Sequence, residues 1–192
     1  QQEPAATQFR FLSPHGDILV HQDAAGFQLC LPLFELSALA VAELPPAITQ
    51  GVAVAAAAGR DLILELSTKQ QVLDYQPDLL AIRRLPWHAL IVTAANGEID
   101  NPCYWLRYFA PGIGIDEDPA TGSAHCSLLP YWQARHPTQN NITWQAQQCS
   151  AQGGEFQVRR VGQQARGGGP RQGLHVGGVR GGVRPDRREQ EH

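Results

Sequence analysis

The chain has 192 residues, 43% of them hydrophobic, which is enough for one domain or two small ones with a real core. Its net charge of −3 hides a division: residues 1–158 hold 7 Lys+Arg against 15 Asp+Glu, and residues 159–192 hold 8 against 3. An acidic body opposes a nucleic-acid partner, and the apolar run Val52–Ala58 is far below the roughly 20 residues of a membrane span. In chain order, Phe9–Leu12 and Asp17–His21 flank a Pro14-His15-Gly16 turn, and Gly26–Leu31 follows the turn Asp23-Ala24-Ala25-Gly26, so a strand meander is predicted. Pro45-Pro46 opens a short helical turn, and Val52–Ala57 and Leu62–Leu66 read as a strand pair around Gly59-Arg60-Asp61. Residues 68–75 read as a helix with Thr68 at its N-cap, and Pro77–Ile82 as another short turn. Ala89–Ala94 and Tyr104–Phe109 are strands. The helix predicted most strongly is Ser123–Ala134, and strands follow near Ile142–Gln147 and Glu155–Val158.

In that helix Ala124, Cys126, Leu128, Leu129, Tyr131, Trp132 and Ala134 cover most of the circumference, the pattern of a buried helix. Short strands around one central buried helix form the simplest architecture. Pro130 would cost about 3 kcal/mol in a regular helix interior, so a kink or an early end is expected there. From Arg159 the chain holds nine Gly and no aromatic residue. Such a segment buries too little to offset its ordering entropy, so it is expected to be unstructured, with the body ending near Val158.

Several functions lack support. Cys30, Cys103, Cys126 and Cys149 lie far apart, with no C-x-x-C pair and no zinc spacing, which favours free thiols in a reducing cytoplasm. No signal peptide is visible, and a soluble cytoplasmic protein is expected. His15, His21, His88, His136, His175 and His192 are scattered singly, and the four Trp are spaced as core anchors. Ser123 has no nucleophile elbow around it, and no phosphate loop follows a strand. The chain starts at Gln1 and contains no Met.

The stretch that carries chemistry is Asp116-Glu117-Asp118-Pro119-Ala120-Thr121-Gly122-Ser123-Ala124-His125-Cys126, an acidic loop entering a buried helix. Free N–H groups and the positive end of the dipole at such a start can hold an anion. Gly122 would let a ligand approach the backbone, and Asp118 would stand beside it to move a proton. The alternative is that Asp118 or Thr121 only caps the helix.

Tyr108-Phe109-Ala110-Pro111, Gly114-Ile115, Glu117 to His125, Pro130-Tyr131-Trp132 and Gln148-Cys149-Ser150-Ala151-Gln152-Gly153-Gly154 resemble the signature of the PhzF-like isomerase family of phenazine biosynthesis. Phe11 to Pro32 resembles the end of that family's first domain, and Glu43-Leu44-Pro45-Pro46 its interdomain region. The resemblance implies an α+β, diaminopimelate-epimerase-like fold, in which a barrel-like antiparallel or mixed sheet wraps a central helix in each of two domains. It implies a cofactor-independent isomerase that shifts a proton on a small carboxylate-bearing substrate, with Asp118 as the second-domain acid and Gly122 and Ser123 holding the substrate. Cys126 lies beyond the motif and receives no role.

On this reading residues 1–42 are a remnant of the first domain and its crossover, residues 43–158 the second domain, and residues 159–192 a disordered Gly/Arg-rich tail. The family's first-domain glutamate has no match in residues 1–8, where Glu3 lacks supporting context. Half of the cleft would then be missing and weak or no catalysis is expected of this chain alone, with a non-catalytic, small-molecule-binding remnant as the alternative. The composition after Arg159 is that of a GC-rich gene translated out of frame. Arg166-Gly167-Gly168 and Arg180-Gly181-Gly182 also resemble RNA-binding tails, but no aromatic residues interleave with them. No metal, nucleic-acid or membrane partner is expected, and a homodimer would suit a cleft enzyme.

Overall fold

A computed structural model describes residues 7–11, 18–23, 26–139, 142–163 and 171–179. The chain opens with β1 (Thr7–Phe11), β2 (Ile18–Asp23) and β3 (Gly26–Pro32), paired antiparallel in succession as the turn chemistry predicts. The Pro14-His15-Gly16 turn and Ala24-Ala25 lie outside the described residues. Residues 33–36 then cross to β4 (Ser37–Leu39), and α1 (Pro46–Thr49) opens within the Pro pair, with Pro45 at its N-cap position. Next come β5 (Ala53–Ala58), β6 (Leu62–Leu66), α2 (Lys69–Asp74), α3 (Leu79–Arg83), β7 (Leu90–Ala95), β8 (Cys103–Ala110) and β9 (Ile115–Asp118). The chain closes with α4 (His125–Arg135), β10 (Trp144–Gln148), β11 (Gly154–Gln163) and β12 (Arg171–Val179).

The strands form one mixed sheet in the order β1-β2-β3-β12-β11-β10-β8-β7-β6-β5-β4, with β9 added against β8. The joins β10–β8 and β6–β7 are parallel and the others antiparallel, giving an α+β fold. β6, β7 and β8 are covered on both faces, and alternation along each strand sorts their residues between two cores. Ile63, Ile91, Tyr104, Leu106 and Tyr108 pack with Leu128, Leu129 and Trp132 of α4. Leu62, Leu64, Leu90, Val92 and Phe109 face Ile48, Val72, Tyr75 and Ile82 of the α1–α3 layer. The short helices are held by local chemistry: Thr68 and Gln71 form a capping box on α2, and Asp78 accepts from Ala81 N–H at 2.9 Å on α3.

Three expectations need correction. Asp116–Asp118 is strand rather than loop. Gly114, at φ 86°, turns the chain back so that Tyr108 pairs with Asp118, and this pairing overrides the low strand preference of Asp. The buried helix runs past Pro130 to Arg135, so of the kink or early end expected there the early end does not occur. Proline has no N–H for the carbonyl of Cys126, and Phe34 N–H from the crossover segment donates to that carbonyl at 2.9 Å instead. The third correction concerns the segment after Val158. Residues 159–163 continue β11, and Arg171–Val179 forms β12 between β3 and β11.

Leu174 and Val176 of β12 are buried in the α4 core, where they meet Leu31 and Val158. Arg160 Nε donates to Gln133 Oε1 of α4 at 2.9 Å. Composition predicted disorder because it averages over glycines, whereas the apolar pair at alternate positions is what tertiary pairing uses. Both Arg-Gly-Gly triplets lie outside the described residues, as do Glu3, His15 and His192. No described helix is long and apolar enough to cross a membrane.

Candidate functional site

The start of α4 follows a single 3-10 turn, Gly122–Ala124, and neither the turn nor the helix has a side-chain cap. Asp118 Oδ1 instead accepts from Ala120 N–H at 3.1 Å, closing a tight turn two residues on. Thr121 N–H donates to Gln148 Oε1 at 2.7 Å, and Gln148 Nε2 donates to Thr121 Oγ1 at 3.2 Å and to the Asp118 carbonyl. The capping alternative for Asp118 and Thr121 therefore does not hold.

Gln148 is fully buried, and its one amide group fixes both ends of the Asp118–Thr121 turn. Ser150 Oγ adds a bond to the Pro119 carbonyl at 2.7 Å. Gly154 completes the clamp, since a Cβ there would stand 3.3 Å from Ala120 Cβ. Asp118 is thus half-buried at the end of a rigid strand, directly before an uncapped helix start. A Cβ on Gly122 would meet nothing within 4 Å, so the space in front of this backbone is open.

The other two carboxylates of the acidic run have different surroundings. Glu117 is held bidentately by Arg107, at 2.7 and 2.9 Å, and Arg107 also donates to the Tyr75 carbonyl, which ties β8 to the α2–α3 layer. Asp116 is exposed.

Behind the helix start lies a cluster that local sequence does not announce. Arg60 and Asp61 sit in the turn before β6, so that Asp61 shares the face of Ile63 toward α4. Asp61 is 0% exposed and accepts from Arg60 Nη2 at 2.8 Å and from the Tyr108 hydroxyl at 3.3 Å. Arg60 Nη2 also donates to Tyr108 Oη and to Ser123 Oγ, both at 3.3 Å. The guanidinium lies 4.9 Å from the centre of the Phe34 ring. Tyr108 is held above the usual phenol range by burial and then by the Asp61 charge, with Asp118 adding to the shift.

His125 and Cys126, the next two residues, are structural. His125 is fully buried, and its Nδ1 lies 2.7 Å from the Tyr104 hydroxyl with the ring edge-on to Phe156. Burial lowers its pKa to about 3, so the imidazole is neutral. Burial pushes the Cys126 thiol up to about 12, a value at which it is no nucleophile near neutrality. All four cysteines are free, and among the described residues no three His, Cys, Asp or Glu side chains could hold a metal ion. A cavity of about 550 Å³ lies elsewhere, along the far end of α4 against Phe34, Leu36, Ala57, Tyr131 and Arg135, and it includes none of Asp118, Gly122 or Ser123.

Of the three residues singled out in the sequence, Asp118 ends β9, and Gly122 and Ser123 stand in the 3-10 turn that opens α4. The residues that sequence reasoning missed are Arg60, Asp61 and the clamp of Gln148. Tyr108 and Gln148 stand within the motifs quoted above, but nothing local marks which atoms they hold.

Comparison with known proteins agrees with this picture. A family model described as "Phenazine biosynthesis-like protein" matches residues 32–168. An uncharacterized isomerase of Vibrio cholerae is 42% identical over 153 residues, covering 79% of this chain and 52% of the relative. One of Pseudomonas aeruginosa is 47% identical over 102 residues, 53% of this chain and 37% of its own. The chain therefore spans about half, or less, of the length of these relatives. A crystal structure of a PhzF-family protein of Enterococcus faecalis superposes with a TM-score of 0.70 at 28% identity, covering 91% of this chain and 62% of that one. A hydroxyproline epimerase from Agrobacterium vitis, with trans-4-hydroxy-L-proline bound, matches with a TM-score of 0.52 at 12% identity over 93% of this chain and 58% of that one, and shows a shared fold.

Proposed function

The chain belongs to the phenazine biosynthesis-like protein family, and from that membership we propose that it supplies one wall of a cofactor-independent acid/base isomerase. The substrate is a small carboxylate bearing an acidic C–H. The observation that carries this reading is the turn that ends β9. Asp118 is fixed there by Gln148, directly before a helix start that has no side-chain cap and open space at Gly122.

In this mechanism the substrate carboxylate accepts hydrogen bonds from the backbone at Gly122 and Ser123 and from the Ser123 hydroxyl. Asp118 in its ionised form takes the proton from the neighbouring carbon, and the C–H electron pair moves toward the carboxylate. The added negative charge falls where the helix N–H groups and dipole are aimed, so they stabilise the transition state more than the ground state. The proton returns to a different carbon on the same face, and Asp118 is ionised again. No oxidant or electrophilic cofactor is needed, because charge and protons balance within the cycle.

The test is incorporation of solvent deuterium into a panel of α-amino and α-hydroxy carboxylates, followed by proton NMR. Exchange that disappears in Asp118→Asn and weakens in Gly122→Ala is the expected result. Gly122→Ala is informative because its methyl meets no protein atom, so the fold should tolerate it while the ligand should not. Exchange unchanged in Asp118→Asn would remove Asp118 from the mechanism. Binding at Gly122 and Ser123 without any exchange would leave a binding half-site.

A further inference from the structure

The proton inventory of the Arg60 cluster goes beyond the roles of Asp118, Gly122 and Ser123. A serine hydroxyl has one hydrogen to give and two lone pairs. Ser123 Oγ accepts from Arg60 Nη2 at 3.3 Å, and the Ser123 hydrogen has no acceptor among the described residues. With an acceptor site occupied by a permanent cation, the hydroxyl is biased to donate away from Arg60. The Tyr108 hydroxyl has less freedom, because it gives its hydrogen to Asp61 Oδ1 and shares with Ser123 Oγ the one Arg60 Nη2 hydrogen that Asp61 does not take.

We propose that Arg60, aimed by buried Asp61 and by Tyr108, is a positioning residue that presets the Ser123 hydroxyl as a hydrogen-bond donor toward an anionic oxygen of the bound substrate. This inference rests on the assignment of Ser123 as a substrate-holding residue. Three features support it beyond the single bond. Asp61 is a fully buried carboxylate that meets Arg60 through both Nε and Nη2, a forked geometry that fixes the guanidinium plane. Phe34 lies against the guanidinium and also donates its N–H to the Cys126 carbonyl one turn along the same helix, so one segment holds both cation and helix. Gly59 admits that segment: a Cβ there would collide with the Glu35 carbonyl. An ion pair needed only for stability could be satisfied inside the turn. Here one guanidinium nitrogen reaches 63 residues along the chain to the substrate-side hydroxyl.

The experiment is a double-mutant cycle read by the affinity for benzoate, a simple carboxylate probe, from ¹⁵N chemical shifts of the Gly122 and Ser123 amides. Arg60→Met alone would strand the buried Asp61 charge. The variant is therefore the neutral pair Arg60→Met with Asp61→Asn, compared with Ser123→Ala and with the triple substitution. Loss of one charge-supported hydrogen bond should weaken benzoate roughly tenfold in the pair variant and in Ser123→Ala. If Arg60 acts through Ser123, adding the pair to Ser123→Ala should cost less than about threefold more. An equal loss in both backgrounds would mean that Arg60 meets the anion directly or acts through the fold, and would overturn the proposal. So would an unsubstituted protein in which benzoate moves neither amide. The acid/base role of Asp118 is read separately by deuterium exchange, so failure there is distinct from failure here.

Discussion

His125 is the residue for which burial alone sets a measurable pH dependence. It has no solvent exposure, and burial depresses its pKa to about 3. In the unfolded chain an imidazole titrates near about 6.5. Between these values the unfolded state binds a proton that the folded state refuses. Stability from this residue is therefore fully present above the unfolded pKa and is lost as the pH falls through 6.5 toward 3. The slope in that window is about 1.4 kcal/mol per pH unit, which gives a loss of roughly 2 kcal/mol between pH 7 and pH 5. Urea unfolding at the two pH values should show this extra loss in the unsubstituted protein and not in His125→Gln. Parallel losses in both would mean that His125 is protonated in the folded state. The same burial argues that His125, although it stands inside the signature stretch, is not the proton-transfer group, because a base near pKa 3 is poorly matched to neutral pH.

At the scale of elements, the turn between β9 and α4 is held by a residue from β10. Gln148 answers the Thr121 N–H, the Thr121 hydroxyl and the Asp118 carbonyl at once. Gln148→Leu would keep similar bulk but leave Thr121 N–H buried without an acceptor, a cost of about 1–3 kcal/mol. Because the lost bonds fix the turn that carries Asp118, solvent exchange should fall by more than the change in urea midpoint explains. Exchange that remains normal in a destabilised but folded Gln148→Leu would separate the clamp from the chemistry. This clamp also shows where sequence reading stops. The Thr68 cap, the Gly59 hairpin and the all-round apolar helix are legible because each signal lies within a few residues of its partner. Gln148 and Thr121 are 27 residues apart, and Arg60 and Ser123 are 63 apart, so nothing local reports that they meet. β9 is hidden in the sequence for a related reason. Asp is a poor strand former in isolation, and the pairing of Asp118 with Tyr108 that makes it a strand is supplied by β8. Asp118, Gly122 and Ser123 are proposed as site residues on a family resemblance. Spacing alone left them divided between a cap and a site.

For the molecule as a whole, the decisive piece is β12. It lies between β3 and β11, so the opening meander and the α4-bearing part of the sheet are joined through it. Its register places Leu174 opposite Leu31 and Val176 opposite Leu29 and Val158. Leu174 is 0% and Val176 1% exposed, and both belong to the core cluster that surrounds α4. A Gly-rich segment has few side chains with which to offset its ordering entropy, and Leu174 and Val176 supply buried apolar surface toward that cost. Leu174→Ala should then cost about 2–5 kcal/mol, the range for truncating a packed core leucine. Hydrogen exchange gives an independent reading. If β12 is paired on both sides, the amides of residues 174–176 should be protected together with those of Val158, in one cooperative unit. Leu174→Ala should lower the protection of that unit and, through α4, slow the exchange of substrate protons at Asp118. Amides at 174–176 that exchange at the rate of a free chain would return this segment to the unstructured tail that its composition predicts. The sheet would then divide between β3 and β11, and the opening meander would lose its only strand pairing to the rest of the described residues.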